Sequence, residues 1–228
     1  MPFTYAYPRP SVTCDAVVFT LRANDLSVLL IRRKSNPFKD QWALPGGFVN
    51  ENESLVSAAA RELEEETGIS NARLEQLGAF GDPGRDPRGH TVTVAWLTFF
   101  AAEPRTTAGD DAAAAEWVPY RSLALGAKAA KPAKSTKRIE LAFDHARIVA
   151  HGYARLCHHL EHPIAERTFD FLPSRFTLAQ MRHVYEAILA REIAPRAFKK
   201  QVVDGGLVVA TTPRTTTKKP AAPLYRWA

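Results

Sequence analysis

Three glutamates, Glu62, Glu65 and Glu66, stand at i, i+3 and i+4 near the end of a periodic segment that stops at Gly68. Leu55, Val56, Ala59, Ala60 and Leu63 recur at helical spacing, which predicts a helix over 54–67 with Gly68 as its C-terminal stop. At about 100° per residue the three carboxylates share an arc of roughly 100° beside the apolar stripe, while Glu64 points elsewhere. Like charges so spaced repel one another, and the helix macrodipole disfavours them further at this end. A fold gains no stability from such an arrangement. A hard divalent cation offsets both costs, because Mg²⁺ prefers carboxylate oxygens and substrate phosphates. A run of glutamates is more often a solvated helix face. Here it is tied to a Pro45-Gly46-Gly47 turn, to Glu53, and to Arg61, which lies angularly close to Glu65.

Around this helix the pattern alternates strands and turns. Residues 11–21 and 26–32, rich in Val, Phe and Leu, flank an Ala23-Asn24-Asp25 turn and read as a hairpin. Strands are expected at 74–80 and 90–101 around a Gly/Pro loop at 81–89, with a short closing strand at 116–118. The Ala/Lys/Pro-rich stretch 125–135 reads as a linker. A long helix is expected over 138–160, broken at Pro163. Thr177-Leu178-Ala179-Gln180 is a capping box that opens a helix running to Ala190. A further helix starts at Pro195 and stops at Gly205-Gly206, and strands at 207–210 and 224–227 enclose a Thr/Lys/Pro loop. Helix, turn, helix and hairpin is the winged-helix order. The expected division is a first domain over 1–137, a linking helix over 138–162 and a winged helix over 163–228.

Charge is segregated along the chain. The net charge is +6, yet residues 190–228 hold eight bases against two acids, and residues 121–138 hold six bases and no acid. The rest is therefore net acidic, which suggests one cationic and one polyanionic partner. Cys14 and Cys157 lack metal-ligand spacing and read as reduced structural thiols. With no apolar run long enough to cross a bilayer and no signal-peptide pattern, a cytoplasmic location without a membrane partner is expected. His145, His151, His158, His159 and His162 crowd the long helix. His158 and His162, four apart, have the spacing of a metal pair, but a surface or interface role is the reading preferred.

From Gly47 to Ile69 the chain resembles the Nudix hydrolase signature at every defined position: Gly47, Glu53, Arg61, Glu62, Leu63, Glu65, Glu66, Gly68 and Ile69. The resemblance implies an α/β/α sandwich with a mixed sheet that cleaves a nucleoside diphosphate linked to a second group. By position, Glu62, Glu65 and Glu66 would hold Mg²⁺ (or Mn²⁺) with the carbonyl around Gly47, and Glu53 and Arg61 would pair to brace the unit. The catalytic base is left open among Glu62, Asp110, Asp111 and Glu116.

The stretch Asp82 to His90 looks like a loop of ADP-ribose pyrophosphatases. Arg85 and Arg88 on it are candidate diphosphate or ribose ligands, as planar bidentate donors. Trp42 is a candidate for stacking on adenine, and Phe38 is read as core. The C-terminal half resembles the NrtR group of repressors of NAD-metabolism genes, through Leu141 to His145, Phe176-Thr177-Leu178 and Arg196 to Lys200, among others. That likeness implies a homodimer that binds double-stranded DNA through Arg196, Lys199 and Lys200 on the second helix and Arg214, Lys218 and Lys219 on the wing. Two functions follow as expectations. One is a hydrolase converting ADP-ribose to AMP and ribose 5-phosphate that carries a DNA-binding domain. The alternative is a repressor that senses ADP-ribose or a related nucleotide through its Nudix domain.

Overall fold

Strand β1 (Ser11–Arg22) is buried along eight consecutive residues, so both of its faces must be covered. Cys14, Ala16 and Val18 alternate with Val17 and Phe19, and the two sets enter different apolar clusters. The computed structural model describes residues 5–109, 112–123, 125, 138–161, 171–211 and 222–228. β1 forms the expected hairpin with β2 (Asp25–Arg33) and pairs in parallel with β6 (Thr91–Phe100), from Ser11↔Thr91 to Thr20↔Phe100. β3 (Trp42–Ala43) joins β2 and β4 (Gly46–Phe48) joins β1. β5 (Glu75–Phe80) lies outside β6, and β7 (Ala112–Pro119) pairs with β2. One parallel pair among antiparallel ones makes the sheet mixed, as expected.

Helix α1 (Leu55–Thr67) covers one face. Ser54 caps it by accepting from the Ser57 amide, and Gly68 ends it in a left-handed conformation with φ 73°. Its Ala58, Ala59 and Leu63 meet Cys14, Ala16, Val18, Trp96 and Trp117. Helix α2 (His145–Glu161) covers the other face with Ile148, Val149, Leu156 and Leu160. The result is an α/β/α sandwich.

The long helix expected over 138–160 is corrected at its start. Residues 139–142 are extended instead: the Ile139 amide donates to Ser122 O and the Ala142 amide to Trp42 O. Phe143 then takes a left-handed conformation, φ 54°, which a helix cannot contain. Backbone pairing to β3 outweighs helical periodicity there. The closing strand β7 is also longer than the three residues expected, because β2 offers it a full antiparallel partner.

In the C-terminal part, α3 (Leu178–Leu189) opens on the expected capping box, with Thr177 and Gln180 bonding reciprocally. Helix α4 (Pro195–Lys199) is α-helical for five residues only. A wider π turn continues it through Asp204, so the expected helix over 195–203 is corrected in type. The turn between the helices is held by Glu186, whose carboxylate accepts from Arg182 Nη1 (2.9 Å) and from the Ile193 amide (2.8 Å). Strands β8 (Val208–Thr211) and β9 (Leu224–Trp227) form the hairpin, and Phe176 bonds β9 through both of its backbone groups. The wing loop with Arg214, Lys218 and Lys219, most of the 125–135 linker, His162 and Pro163 lie outside the described residues.

Gly152 on α2 sits against β1. A Cβ built there would lie 2.9 Å from Val17 Cγ1, closer than packed carbons tolerate. Gly152→Val is therefore expected to cost about 1–3 kcal/mol of stability, read as a lower urea midpoint with an unchanged slope.

Candidate active site

The Pro45-Gly46-Gly47 turn brings α1 onto the end of β1. A Cβ on Gly46 would fall 2.3 Å from Cys14 O, and one on Gly47 would fall 2.4 Å from Glu62 Oε1. Only glycine lets the acidic helix close on the turn. The Gly46 amide then donates to Glu66 Oε2 at 2.8 Å. Arg61 organises the remainder. Its Nε and Nη2 grip Glu53 at 2.8 and 2.9 Å, its Nη1 bridges Glu62 (2.7 Å) and Glu65 (3.0 Å), and Nη2 also reaches Phe48 O at 3.1 Å. That fork of hydrogen bonds, with the Asn50 amide, holds the Glu53 carboxyl down at about 2. Burial pushes the Glu62 carboxyl up, against the opposing bond from Arg61.

At the end of α1, the segment before β7 covers the last carbonyls. The Thr107 amide donates to Thr67 O (2.9 Å) and the Gly109 amide to Glu66 O (3.2 Å). Asp110 and Asp111 follow directly and lie outside the described residues, while Glu116 is exposed on β7 and Glu64 is exposed on α1.

The donor set Glu62, Glu65 and Glu66 is all carboxylate oxygen and fits a hard divalent ion in its chemistry. Among the described residues no three His, Cys, Asp or Glu side chains already form a cage. Arg61 holds two of these glutamates, and Gly46 holds one oxygen of the third.

Behind the turn lies a cavity of about 100 Å³, lined by Asp15, Arg33, Gly46, Gly47, Phe48, Arg85, Arg88, Phe143 and His145 among others. It has room for a phosphate or a sugar, and less than a whole nucleotide needs. Both loop arginines line it, but in different states. The Arg85 side chain is only 4% exposed and is bound by Asp144 through two bonds, 3.0 and 2.6 Å. Arg88 is 42% exposed, is braced by the buried Asp86, and lies over Phe48 (5.0 Å) and Phe143 (5.7 Å). Burial alone would raise the Asp86 carboxyl, but its bonds to Arg88 leave it lowered.

Trp42, expected to stack on adenine, does not line this cavity. It is partly buried against the main core, with its backbone bridging Leu141. Phe38 packs edge-on against Phe143 and beside Ile31, Ala43 and Ala142. The aromatics at the cavity are Phe48 and Phe143.

His145 is buried, not at a surface. Its Nδ1 accepts from the Leu44 amide at 2.9 Å, so the neutral ring carries its proton on Nε2, 3.8 Å from Asp15. Burial pushes its pKa down. His159 is buried too, 2.7 Å from Glu75. Burial thus withdraws two of the five histidines from the surface role expected of them. Sequence reasoning did not assign Arg33, Phe143 or His145 to a binding site, although Phe143 and His145 lie in the Leu141 to His145 stretch that resembles the NrtR group. Phe48 had one available signal, its place directly after Gly47.

A larger cleft, about 290 Å³, lies between the end of α2, α3 and α4, lined by Leu160, Tyr185, Leu189 and Phe198 among others. It holds none of the clustered carboxylates. Arg196, Lys199 and Lys200 are exposed on α4 and its π turn, with Phe198 and Val202 anchoring that element in the core.

Comparison with known proteins agrees with this geometry. The NUDIX domain family matches residues 13–139, more than half of the chain. The chain belongs to the Nudix family. Its Nudix domain is followed by a match to the NrtR DNA-binding winged helix domain over 168–227. The chain is 32% identical over 224 residues to the ADPR responsive transcriptional repressor NtrR of Acinetobacter baylyi, covering 97% of this chain and 84% of the relative. It is 38% identical over 144 residues to the ADP-ribose pyrophosphatase of Methanocaldococcus jannaschii, covering 63% of this chain and 73% of the relative. Shewanella oneidensis NrtR in complex with a 27mer DNA superposes with TM-score 0.65 at 29% identity, over 95% of this chain and 93% of that one. The NUDIX domain of the Shewanella protein, solved with ADP ribose, gives TM-score 0.58 at 31% identity, over 66% and 91%. Nudix hydrolases generally use divalent metal ions.

Glu53→Gln is expected to destabilise the Nudix domain at neutral pH. Because the folded pKa lies below the unfolded one, the carboxylate's contribution is complete above about 4.5 and is lost as pH falls toward about 2. Thermal melts of both proteins across that window should converge at the acid end.

Proposed function

We propose that this chain is a cytoplasmic, homodimeric, DNA-binding protein whose Nudix domain binds and hydrolyses ADP-ribose with Mg²⁺ or Mn²⁺. The observation that carries the reading is the intact carboxylate helix, gripped by Arg61 and closed on the Gly46-Gly47 turn that lines a cavity with arginines, in one chain with a helix-turn-helix whose outer face is basic. Its relatives are named for both activities, a repressor responsive to ADPR and an ADP-ribose pyrophosphatase.

Glu62, Glu65 and Glu66 are the residues that would hold the ion, and a bound ion would neutralise the diphosphate and make water a better nucleophile. The protein's own groups do the rest. Arg61 fixes Glu62 and Glu65, Gly46 fixes Glu66, and Arg88 faces the cavity to take negative charge from the substrate. Water adds across the P–O–P bond, leaving AMP and ribose 5-phosphate. Arg85, engaged by Asp144, anchors the loop that carries Arg88.

On the DNA side, Arg196, Lys199 and Lys200 are exposed on the second helix of the winged-helix unit, and Arg214, Lys218 and Lys219 fall in sequence between β8 and β9. Lys and Arg there supply phosphate contacts, and an arginine at a helix start can read guanine. Regulation is favoured over simple co-residence by α2. Its start lines the nucleotide cavity, and its Tyr153 Oη donates to Ile188 O at the end of α3 (2.9 Å). A nucleotide that prefers one setting of α2 thereby changes affinity for DNA.

Glu66→Gln should lower hydrolysis roughly a thousandfold, while Glu64→Gln, on the exposed side of α1, should cost little. Equal losses in a coupled phosphate assay would refute the metal-face assignment. Arg196→Ala and Lys199→Ala should each weaken duplex binding by about 1–3 kcal/mol and leave hydrolysis unchanged. Titrating duplex DNA over a salt series, with and without ADP-ribose, checks this. Binding indifferent to salt, substitution and nucleotide would leave the hydrolase alone.

A further inference from the structure

Arg33, the last residue of β2, is a half-buried cation in the cavity wall. Its Nε donates to Pro37 O at 2.9 Å and its Nη2 to Ser35 O at 3.4 Å, and both acceptors are neutral carbonyls. Among the described residues no carboxylate forms an ion pair with it. The other two arginines of the cavity differ on this point, since Arg85 has Asp144 and Arg88 has Asp86. A guanidinium out of bulk water without a carboxylate partner is costly, and such a group ordinarily has a counter-charge.

Its surroundings make the cost larger. The Arg33 guanidinium lies over the Phe143 ring at 4.8 Å, and Arg88 lies over that ring at 5.7 Å, so one aromatic platform gathers two like charges. Burial, and then the charge of Arg88, pushes the Arg33 pKa down, against the more distant negative charges of Glu66, Asp86 and Asp15. Phe143 itself is held in a left-handed backbone conformation, φ 54°, uncommon for a bulky residue and often found at ligand sites. The cavity, about 100 Å³, admits a group of phosphate size, and its wall includes Gly46 and Gly47, which back onto Glu66 and Glu62.

We propose that Arg33 and Arg88, gathered on the ring of Phe143, form an anion subsite that receives one phosphate of a nucleoside diphosphate. The subsite rests on the reading of this cavity as the ADP-ribose site, and assigns the diphosphate to a cation that the loop over 81–89 does not contain. An anion here offsets the repulsion between the two guanidiniums and gives Arg33 a carboxylate-like partner in direct contact, which no ion pair among the described residues supplies. Arg85 serves the loop and does not contact the phosphate.

The test is isothermal titration of the full chain with inorganic pyrophosphate and, separately, with ADP-ribose, both in EDTA so that no divalent ion contributes. Wild type is compared with Arg33→Gln, Arg33→Lys and Arg32→Gln, the last altering an exposed neighbour on β2. Arg33→Gln should weaken both ligands by about tenfold or more, as loss of a charge-assisted contact implies, and Arg33→Lys should recover most of the affinity. Arg32→Gln should match wild type. Lysine restores the charge but not the paired carbonyl contacts, so a residue that merely braced the loop over 35–37 would make Lys and Gln equally weak. That result overturns the subsite. So does wild-type affinity in Arg33→Gln, which leaves the ADP-ribose reading intact. Pyrophosphate bound in an Arg33-dependent way without any binding of ADP-ribose sustains the subsite and refutes the ADP-ribose reading. No binding of pyrophosphate at millimolar concentration overturns the subsite.

Discussion

Three carboxylates and a backbone carbonyl, drawn from the Gly46–Phe48 strand, the loop that follows it and α1, meet on the single side chain of Arg61. Without that guanidinium, Glu62 and Glu65 would repel each other at the unfavourable end of a helix dipole. Glu53 would keep only the Asn50 amide to hold it against the turn. The two glycines of the turn complete the constraint, since a side chain at 46 would strike β1 and one at 47 would strike the Glu62 carboxylate of α1. The acidic helix, the turn and the edge of the cavity therefore stand or fall as one unit. The carboxylates of the Nudix signature and the Arg61 that grips them are also the residues that fix how α1 docks on the turn.

The second organising element is α2. Its face toward the sheet is packed closely enough that a Cβ at 152 would lie 2.9 Å from Val17 Cγ1. Just before and at its start, Phe143, Asp144 and His145 build the cavity or hold its loop. Further along, Tyr153 bonds α3, and His159 pairs with Glu75 on β5. The core of the Nudix domain runs on into Tyr185, Ile188, Phe198 and Trp227 of the winged helix without a gap. A helix that lines the cavity, packs on the sheet and bonds the winged helix is one contiguous element through which the two could be coupled if it has two settings.

Much of the site was legible in the sequence because its logic is local. Glu62, Glu65 and Glu66 share a face through the covalent geometry of one helix, and the turn and Arg61 lie within twenty residues of them. The capping box at Thr177 and the stop at Gly68 are equally local, and both form as the residue types require. The cavity was legible only in part. Arg85 and Arg88 sit three apart on one loop and look equivalent, yet Asp144, far along the chain, engages one of them and leaves the other facing the cavity. Residues 138–144 read as the start of a helix, but pairing with Ser122 and Trp42 holds 139–142 extended and Phe143 turns left-handed.

What the sequence determined by itself is thus the chemistry that depends on spacing along one element: the acidic face, its caps, the strand order of the first hairpin and the basic second helix. Tertiary structure alone decided which cavity arginine is left without a carboxylate ion pair, which aromatics line the cavity, and which histidines are buried. Those outcomes depend on contacts such as Leu44 with His145 and Arg85 with Asp144, across 101 and 59 residues. Hydrogen bonding and burial act on proximity in space, and periodicity along the chain records proximity only within a single helix or strand.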